Sequence, residues 1–303
     1  IGIGYGADMT LGTLPAAPVA IQASHVTGSS FTARWNAVTG ATGYTLDVST
    51  NSGFTQMVSG YNGLAIGPVL SYTVSGLSPV TPYYYRVRVT TANGTSQSSN
   101  TIGVSTTQLT QTITFPALPA AVYGDADIAP GATASSGLPV TYQSSNTNVA
   151  QIVDGKIRII GVGSAVITAS QDGNTAWDNA PVQQRTLTVS PRPITVTANG
   201  ASKVYGEADP ALIYTVTTGT LVGSDTLTGT LSRAPGEDVG HYAIGQGTLS
   251  AGSNYVLTFN LGNFLIATRS ITITADAKTK VYGDPDPELT WSITAGTLAD
   301  GDT

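Results

Sequence analysis

Residues 192–226 and 269–303 of this chain align without a gap, each running from an arginine to an Asp-Thr pair, with about half of their positions identical. A weaker echo lies at Ile113 to Pro130, so the dipeptide Tyr-Gly followed by an acidic residue occurs at Tyr123, Tyr205 and Tyr282. A spacing of about eighty residues is the size of a small β-sandwich and too long for a solenoid repeat. The chain therefore reads as successive modules, each with its own core, and its 303 residues allow two to four of them.

Within the modules the hydrophobic period is two. Ile194, Val196 and Ala198 alternate with Thr195 and Thr197, Ile157 and Ile159 with Lys156 and Arg158, and Leu187 and Val189 with Thr186 and Thr188. Such alternation predicts half-buried strands. Asp154-Gly155, Asn93-Gly94 and Asp172-Gly173 tolerate positive φ and fall between alternating runs, which predicts tight hairpins. No window of eleven residues or more shows helical periodicity. Composition agrees: charged residues are only 10 % of the chain, far below the roughly 25 % of an average soluble protein. The common helix formers Lys, Arg, Glu and Met are scarce, while Thr, Val, Ile and Tyr recur.

The formal charge is −6, and the twelve Lys and Arg form no basic stripe that could neutralise a phosphate backbone, which excludes nucleic acid as a partner. No run approaches the roughly 20 apolar residues needed to span a bilayer. The N-terminal IGIGYGADMT lacks the basic and apolar regions of a signal peptide. The chain is expected to be a mature form or an interior piece of something longer, a reading that the half-length fourth repeat supports. The absence of cysteine excludes disulfide scaffolds and thiolate zinc sites without fixing the compartment.

In residues 14–108, Trp35 ends the alternating run Phe31-Thr-Ala-Arg-Trp, Tyr44, Leu46 and Val48 alternate, and Leu77-Ser-Pro-Val-Thr-Pro-Tyr leads into Tyr-Tyr-Arg-Val-Arg-Val. This pattern resembles a fibronectin type III domain. The resemblance implies a core tryptophan at Trp35 and a tyrosine corner at Leu77, Pro79, Thr81 and Tyr83. Tyr83, Tyr85, Val87 and Val89 share one strand face, and a phenol buried there needs a backbone partner. Residues 109–190, with Ser136 to Tyr142, Ser144 to Asn146 and Gly161 to Ala169, resemble bacterial Ig-like repeats. Residues 191–268 and the partial copy 269–303 resemble the glycine-rich all-β MBG repeats of long bacterial surface proteins. Residues 1–13 are assigned to the end of a preceding module or a free strand. The expected fold is all-β, a tandem array of Ig-like and fibronectin type III-like β-sandwiches in an elongated rod. Modules of about 35–40 Å, from strands rising about 3.3 Å per residue, would extend it well beyond 100 Å.

Reactive constellations are missing from the sequence. Only His25 and His241 exist, there is no Gly-x-Ser-x-Gly elbow, and no His-Glu-x-x-His. Gly161-Val-Gly163 is followed by a strand pattern, which denies a pyrophosphate the helix N-terminus it needs. Paired carboxylates remain: Asp125 with Asp127, Glu207 with Asp209, Asp284 with Asp286, and Glu237 with Asp238. They sit two apart or adjacent on turns, whereas glycosidase chemistry places two carboxyls about 5–9 Å apart across a cleft. Their repetition points to a scaffold signature in which the tyrosine packs, the glycine takes a conformation barred to other residues, and the carboxylates cap backbone N–H groups. The sharper alternative for Asp125, Asp127, Glu207, Asp209, Asp284 and Asp286 is calcium, the one cofactor their oxygens suit, although the spacing matches no EF-hand loop. Tyr84 faces away from Tyr83 and Tyr85, and Trp177 lies in a loop-like stretch; both are candidates for stacking on a sugar, against a packing role.

Taken together, the resemblances imply a non-catalytic stalk or adhesion segment of a bacterial cell-surface or secreted protein, nearest in architecture to the giant adhesins of gliding bacteria. Its partners would be neighbouring modules or other copies, and surface glycans or proteins. Two other readings are a subunit of an extracellular filament and the accessory region of a secreted polysaccharide-degrading enzyme.

Overall fold

Threonine alternating with branched apolar residues favours strands wherever one face can be buried, and that is how the chain folds. The computed structural model describes residues 12–303. It is all-β, with no helix among the described residues, and hence none long and apolar enough to cross a membrane. The reading made for residues 1–13 lies almost wholly outside the described residues. Two compact units divide the chain: Ile1–Pro116 with Gly131–Tyr142 and Thr168–Gln184, and Ala117–Pro130 with Gln143–Ile167 and Arg185–Thr303.

The first sandwich packs a sheet of Ala20–Ser24, Ser30–Trp35 and Ser71–Ser75 against one built on Leu64–Ile66, Gly43–Ser49, Pro82–Thr91 and Ile102–Ser105. Its core is what the alternation predicts: Phe31, Trp35, Leu46, Val48, Tyr85, Val87 and Val89 are all buried. Each such side chain contributes about 1.5–3 kcal/mol. The rings of Trp35 and Tyr44 lie 5.6 Å apart. The corner forms as expected, with Ser78 N–H donating to the Tyr83 hydroxyl at 2.9 Å and Leu77 buried beneath it. Asp47, buried on a strand, accepts from Arg86 Nε at 3.0 Å and Arg88 Nη2 at 3.2 Å.

Next comes a four-stranded sheet in the order Ala121–Val122, Gln183–Ser190, Gly163–Ser170, Thr141–Ser144, accompanied by the hairpin Ala150–Val153 and Lys156–Ile159. That hairpin closes through Asp154 and Gly155, both at positive φ (50° and 73°), as a two-residue turn requires. Of the other two hairpin expectations, one holds with its turn shifted by one residue and one needs correction. Thr91 pairs with Gly94, so Ala92 and Asn93 make the turn and Gly94 opens the next strand. Asp172-Gly173 sits in a long loop, where Gly173 is needed because a Cβ would come within 2.2 Å of the Trp177 carbonyl.

The third module sets Tyr214–Thr218, Arg192–Ala198 and Tyr255–Asn260 in one sheet, and Ala201–Val204, Gly262–Ala267, Gly240–Gly245 and Ser232–Arg233 in another. Val196, Ile244, Leu249, Phe264 and Ile266 fill its core. Two of its pairings are parallel, Arg192–Ala198 with Tyr255–Asn260 and Ala201–Val204 with Gly262–Ala267. Strands more than sixty residues apart are therefore neighbours. Residues 269–303 form one antiparallel pair, Thr272–Ala275 with Trp291–Ala295, which leaves Val281, Tyr282, Leu289 and Trp291 exposed.

Candidate functional site

The three Tyr-Gly steps share one backbone turn. Asp125, Glu207 and Asp284 each donate a backbone N–H to the carbonyl of Val122, Val204 and Val281, at 3.0, 3.0 and 3.1 Å. Gly124, Gly206 and Gly283 occupy the third position at φ 84°, 80° and 96°. A turn with positive φ at its third residue favours glycine there.

Two of these turns meet a later part of the chain. Arg192, at the head of its strand, donates Nη1 to the Tyr123 carbonyl at 3.0 Å, and the Tyr123 hydroxyl donates to Asp225 Oδ2 at 3.0 Å. Tyr255 joins from the side, its ring edge-on to Tyr123 at 5.6 Å and its hydroxyl donating to the same carboxylate at 2.6 Å. A Cβ on Gly124 would come within 2.3 Å of Val222 Cγ2. At the second turn Arg269 Nε donates to the Tyr205 carbonyl at 2.8 Å, and the Tyr205 hydroxyl donates to Asp302 Oδ1 at 3.2 Å. A Cβ on Gly206 would come within 2.4 Å of Ala299. Tyr205, Val239, Arg269, Leu298 and Asp302 line a cleft of about 220 Å³ there. Burial, and then the Asp225 carboxylate, push the phenols of Tyr123 and Tyr255 up from their ordinary value. The Asp302 hydrogen bond raises that of Tyr205.

Half of the eight candidate carboxylates face protein cations. Asp209 accepts from Lys203 Nζ at 2.7 Å and from Arg233, and Glu237 accepts from the same two side chains. With Arg233 and Lys203 hydrogen-bonded to it, the Asp209 carboxyl is lowered to about 2. Asp127 is gripped by Arg158 Nε and Nη2 at 3.3 and 3.1 Å, which lowers it too. Asp286 pairs with Lys280, while Asp284 and Glu207 are exposed. Asp125 Oδ2 accepts from Val122 N–H at 2.8 Å, a local cap. Among the described residues no three His, Asp or Glu side chains gather as a cation site would need.

Tyr84, on the outer face of its sheet, lies over Gly103, whose added Cβ would stand 3.4 Å from the ring. Trp177 is half-buried. Its loop clamps the chain at Leu109, whose N–H donates to the Ala176 carbonyl at 2.8 Å, while Asp178 N–H donates to the Leu109 carbonyl at 2.9 Å. His25 and His241 are exposed; His25 stands beside Ser24 and His241 beside Asn263, neither with a carboxylate. Arg192, Arg269, Asp225 and Asp302 escaped the sequence reading of candidate sites. Their identity in the two aligned copies was the available signal, but nothing local ties them to a tyrosine 64 to 102 residues away.

The fold defines a chain of all-β sandwich modules. Residues 16–105 match the fibronectin type III domain, and residues 194–265 and 271–303 match the MBG domain (YGX type), both generally non-catalytic module types. Solved structures similar to part of the chain include a myokine structure (17 % identity, 31 % of this chain and 99 % of that one, TM-score 0.27). Another is a fibronectin type III domain of human fibronectin type III domain containing protein 3 (21 %, 34 % and 93 %, 0.26). The FN5 domain of Drosophila Lar is a third (23 %, 31 % and 98 %, 0.26). No curated protein matches the chain.

Proposed function

We propose that this chain is a non-catalytic stalk and attachment segment of a large bacterial cell-surface or secreted protein, with a bacterial Ig-like module at 109–190 between its fibronectin type III and MBG modules. One observation carries the reading: two domain types that are generally non-catalytic occur in tandem. The ionisable groups are consistent with it, because Asp127, Asp209, Glu237 and Asp286 are taken up by internal ion pairs. A general acid must be free to exchange protons with a substrate near neutral pH, and a carboxyl held at about 2 is not.

In such a segment the threonine-rich outer faces supply solubility without charge, and contact with a target is made by neutral polar and aromatic surface. Beads coated with the folded chain should adhere to bacterial or polysaccharide-coated surfaces above the level of albumin-coated beads, and lose that excess on denaturation. Adhesion equal to the albumin control would refute attachment. Hydrolysis of any glycan or peptide by the purified chain would refute the non-catalytic assignment.

A further inference from the structure

The tyrosine contacts at Tyr123 and Tyr205 are one device built twice. Their partners recur 77 residues apart: Arg192 and Arg269 reach the tyrosine carbonyl, Val222 and Ala299 cover the glycine, and Asp225 and Asp302 accept a hydrogen bond from the phenol. In both, the tyrosine N–H donates to the strand end two residues before the arginine, to Ser190 at 2.9 Å and to Ala267 at 2.9 Å. A residue serving only its own module's scaffold would not draw its partners from 64 to 102 residues downstream, within the next module. Tyr205 does touch its own core as well. Its hydroxyl and carbonyl, the two polar groups of the motif, are nevertheless both spent on residues 269–302.

The third copy carries the same turn, with the Asp284 to Val281 hydrogen bond and Gly283 at positive φ. Its shape is therefore set locally. Nothing lies within 4 Å of a Cβ added to Gly283, and Tyr282 is fully exposed at 102 %. We infer that the Tyr-Gly step is one half of a module-to-module clasp, and that Tyr282-Gly283 offers it to one kind of partner: an MBG-type module with arginine at the head of its first strand and a small apolar residue three positions before an aspartate. The recognition is chemically complete. A guanidinium donates to a carbonyl, a small side chain fits where only a Cα–H projects, and a carboxylate accepts the phenol's hydrogen bond. The inference rests on the tandem-module reading and not on attachment, since a chain that adheres to nothing can still close the clasp.

Two measurements test it. In the full chain, Tyr123→Phe should speed amide exchange at Val222 and Asp225 about five- to tenfold, the loss expected for one partly buried hydrogen bond, while Ile244 and Phe264 in the same module's core stay protected. Exchange changed only around residues 120–126 would overturn it. In a chain extended by a second copy of residues 227–303 after Thr303, Tyr282 should resist nitration by tetranitromethane as Tyr205 does. That resistance should vanish when the appended Arg269 and Asp302 equivalents carry Arg→Gln and Asp→Asn. Equal protection in both extended chains would mean that Tyr282 is covered by its own module alone, and no protection in either would mean that no clasp forms; both overturn the inference. If the extension does not fold, the exchange result at Tyr123 decides.

Discussion

Removing both carboxylates that hold Lys203 should destabilise the third module far more than removing Lys203 itself. The lysine side chain is 4 % exposed and lies between Asp209 and Glu237, and the Arg233 side chain beside it is 9 % exposed and bonded to the same two carboxylates. In Lys203→Met the stem still packs, and both carboxylates keep Arg233 as a partner. No buried charge is orphaned, so the cost should be about 1 kcal/mol or less. In the double variant Asp209→Asn, Glu237→Gln two buried cations lose their anions together. Breaking a fully buried pair costs about 3–5 kcal/mol and an exposed one at most about 1 kcal/mol; the loss here falls between the two, because the cations are buried while the Asp209 and Glu237 side chains are 38 % and 68 % exposed. Hydrogen exchange at Ile244 and Ile266 in a urea series on the full chain reads this one module. The double variant should lose its protection at a clearly lower urea concentration than Lys203→Met. Equal destabilisation by both would refute the reasoning, because it would make the ammonium itself the stabilising element.

Asp209, with its carboxyl lowered to about 2, contributes stability that is complete above the ordinary carboxylate pKa of about 4 and is lost as pH falls towards 2; acid unfolding followed at Ile244 should flatten over that range in Asp209→Asn. Tyr123 and Tyr205 titrate above their ordinary value, so their contribution is complete below about pH 10 and lost as pH rises through the raised value; absorbance titration at alkaline pH should show late-ionising phenols, one fewer in Tyr123→Phe. Tyr83→Phe deletes the acceptor for Ser78 N–H and should destabilise the first sandwich by about 1–2 kcal/mol in a Trp35 fluorescence melt, against no shift if water replaces it. Because Asp127, Asp209 and Asp286 already face cations, millimolar calcium should leave the calorimetric transitions where EDTA leaves them; a rise of several degrees would instead reveal a cation site.

Much of the first sandwich was legible before any coordinates. Leu46, Tyr83, Tyr85, Val87 and Val89 are buried where alternation placed them, because a strand's period of two is a local property that needs only one dry face, and Trp35 is buried as the fibronectin type III resemblance implies. Asp154-Gly155 was legible for the same reason: its turn is closed by the residues on either side. Ala92-Asn93 was not, because the register of Thr91 with Gly94 depends on pairing along the whole strand. The acidic steps were half legible. Their place on turns followed from their neighbours, but Asp209 binds Arg233, 24 residues on, and Asp127 binds Arg158, 31 residues on.

The chain's own letters determined the repeat, the all-β class and the three Tyr-Gly turns, each governed by interactions within a few residues, where backbone sterics and side-chain alternation leave little choice. Tertiary structure alone decided what those turns touch. Arg192, Val222 and Asp225 meet Tyr123, and Arg269, Ala299 and Asp302 meet Tyr205, beside parallel strand pairs that join residues more than sixty positions apart. Contacts of that range depend on the folded sheets as a whole, and no short window of sequence contains the geometry that brings them together.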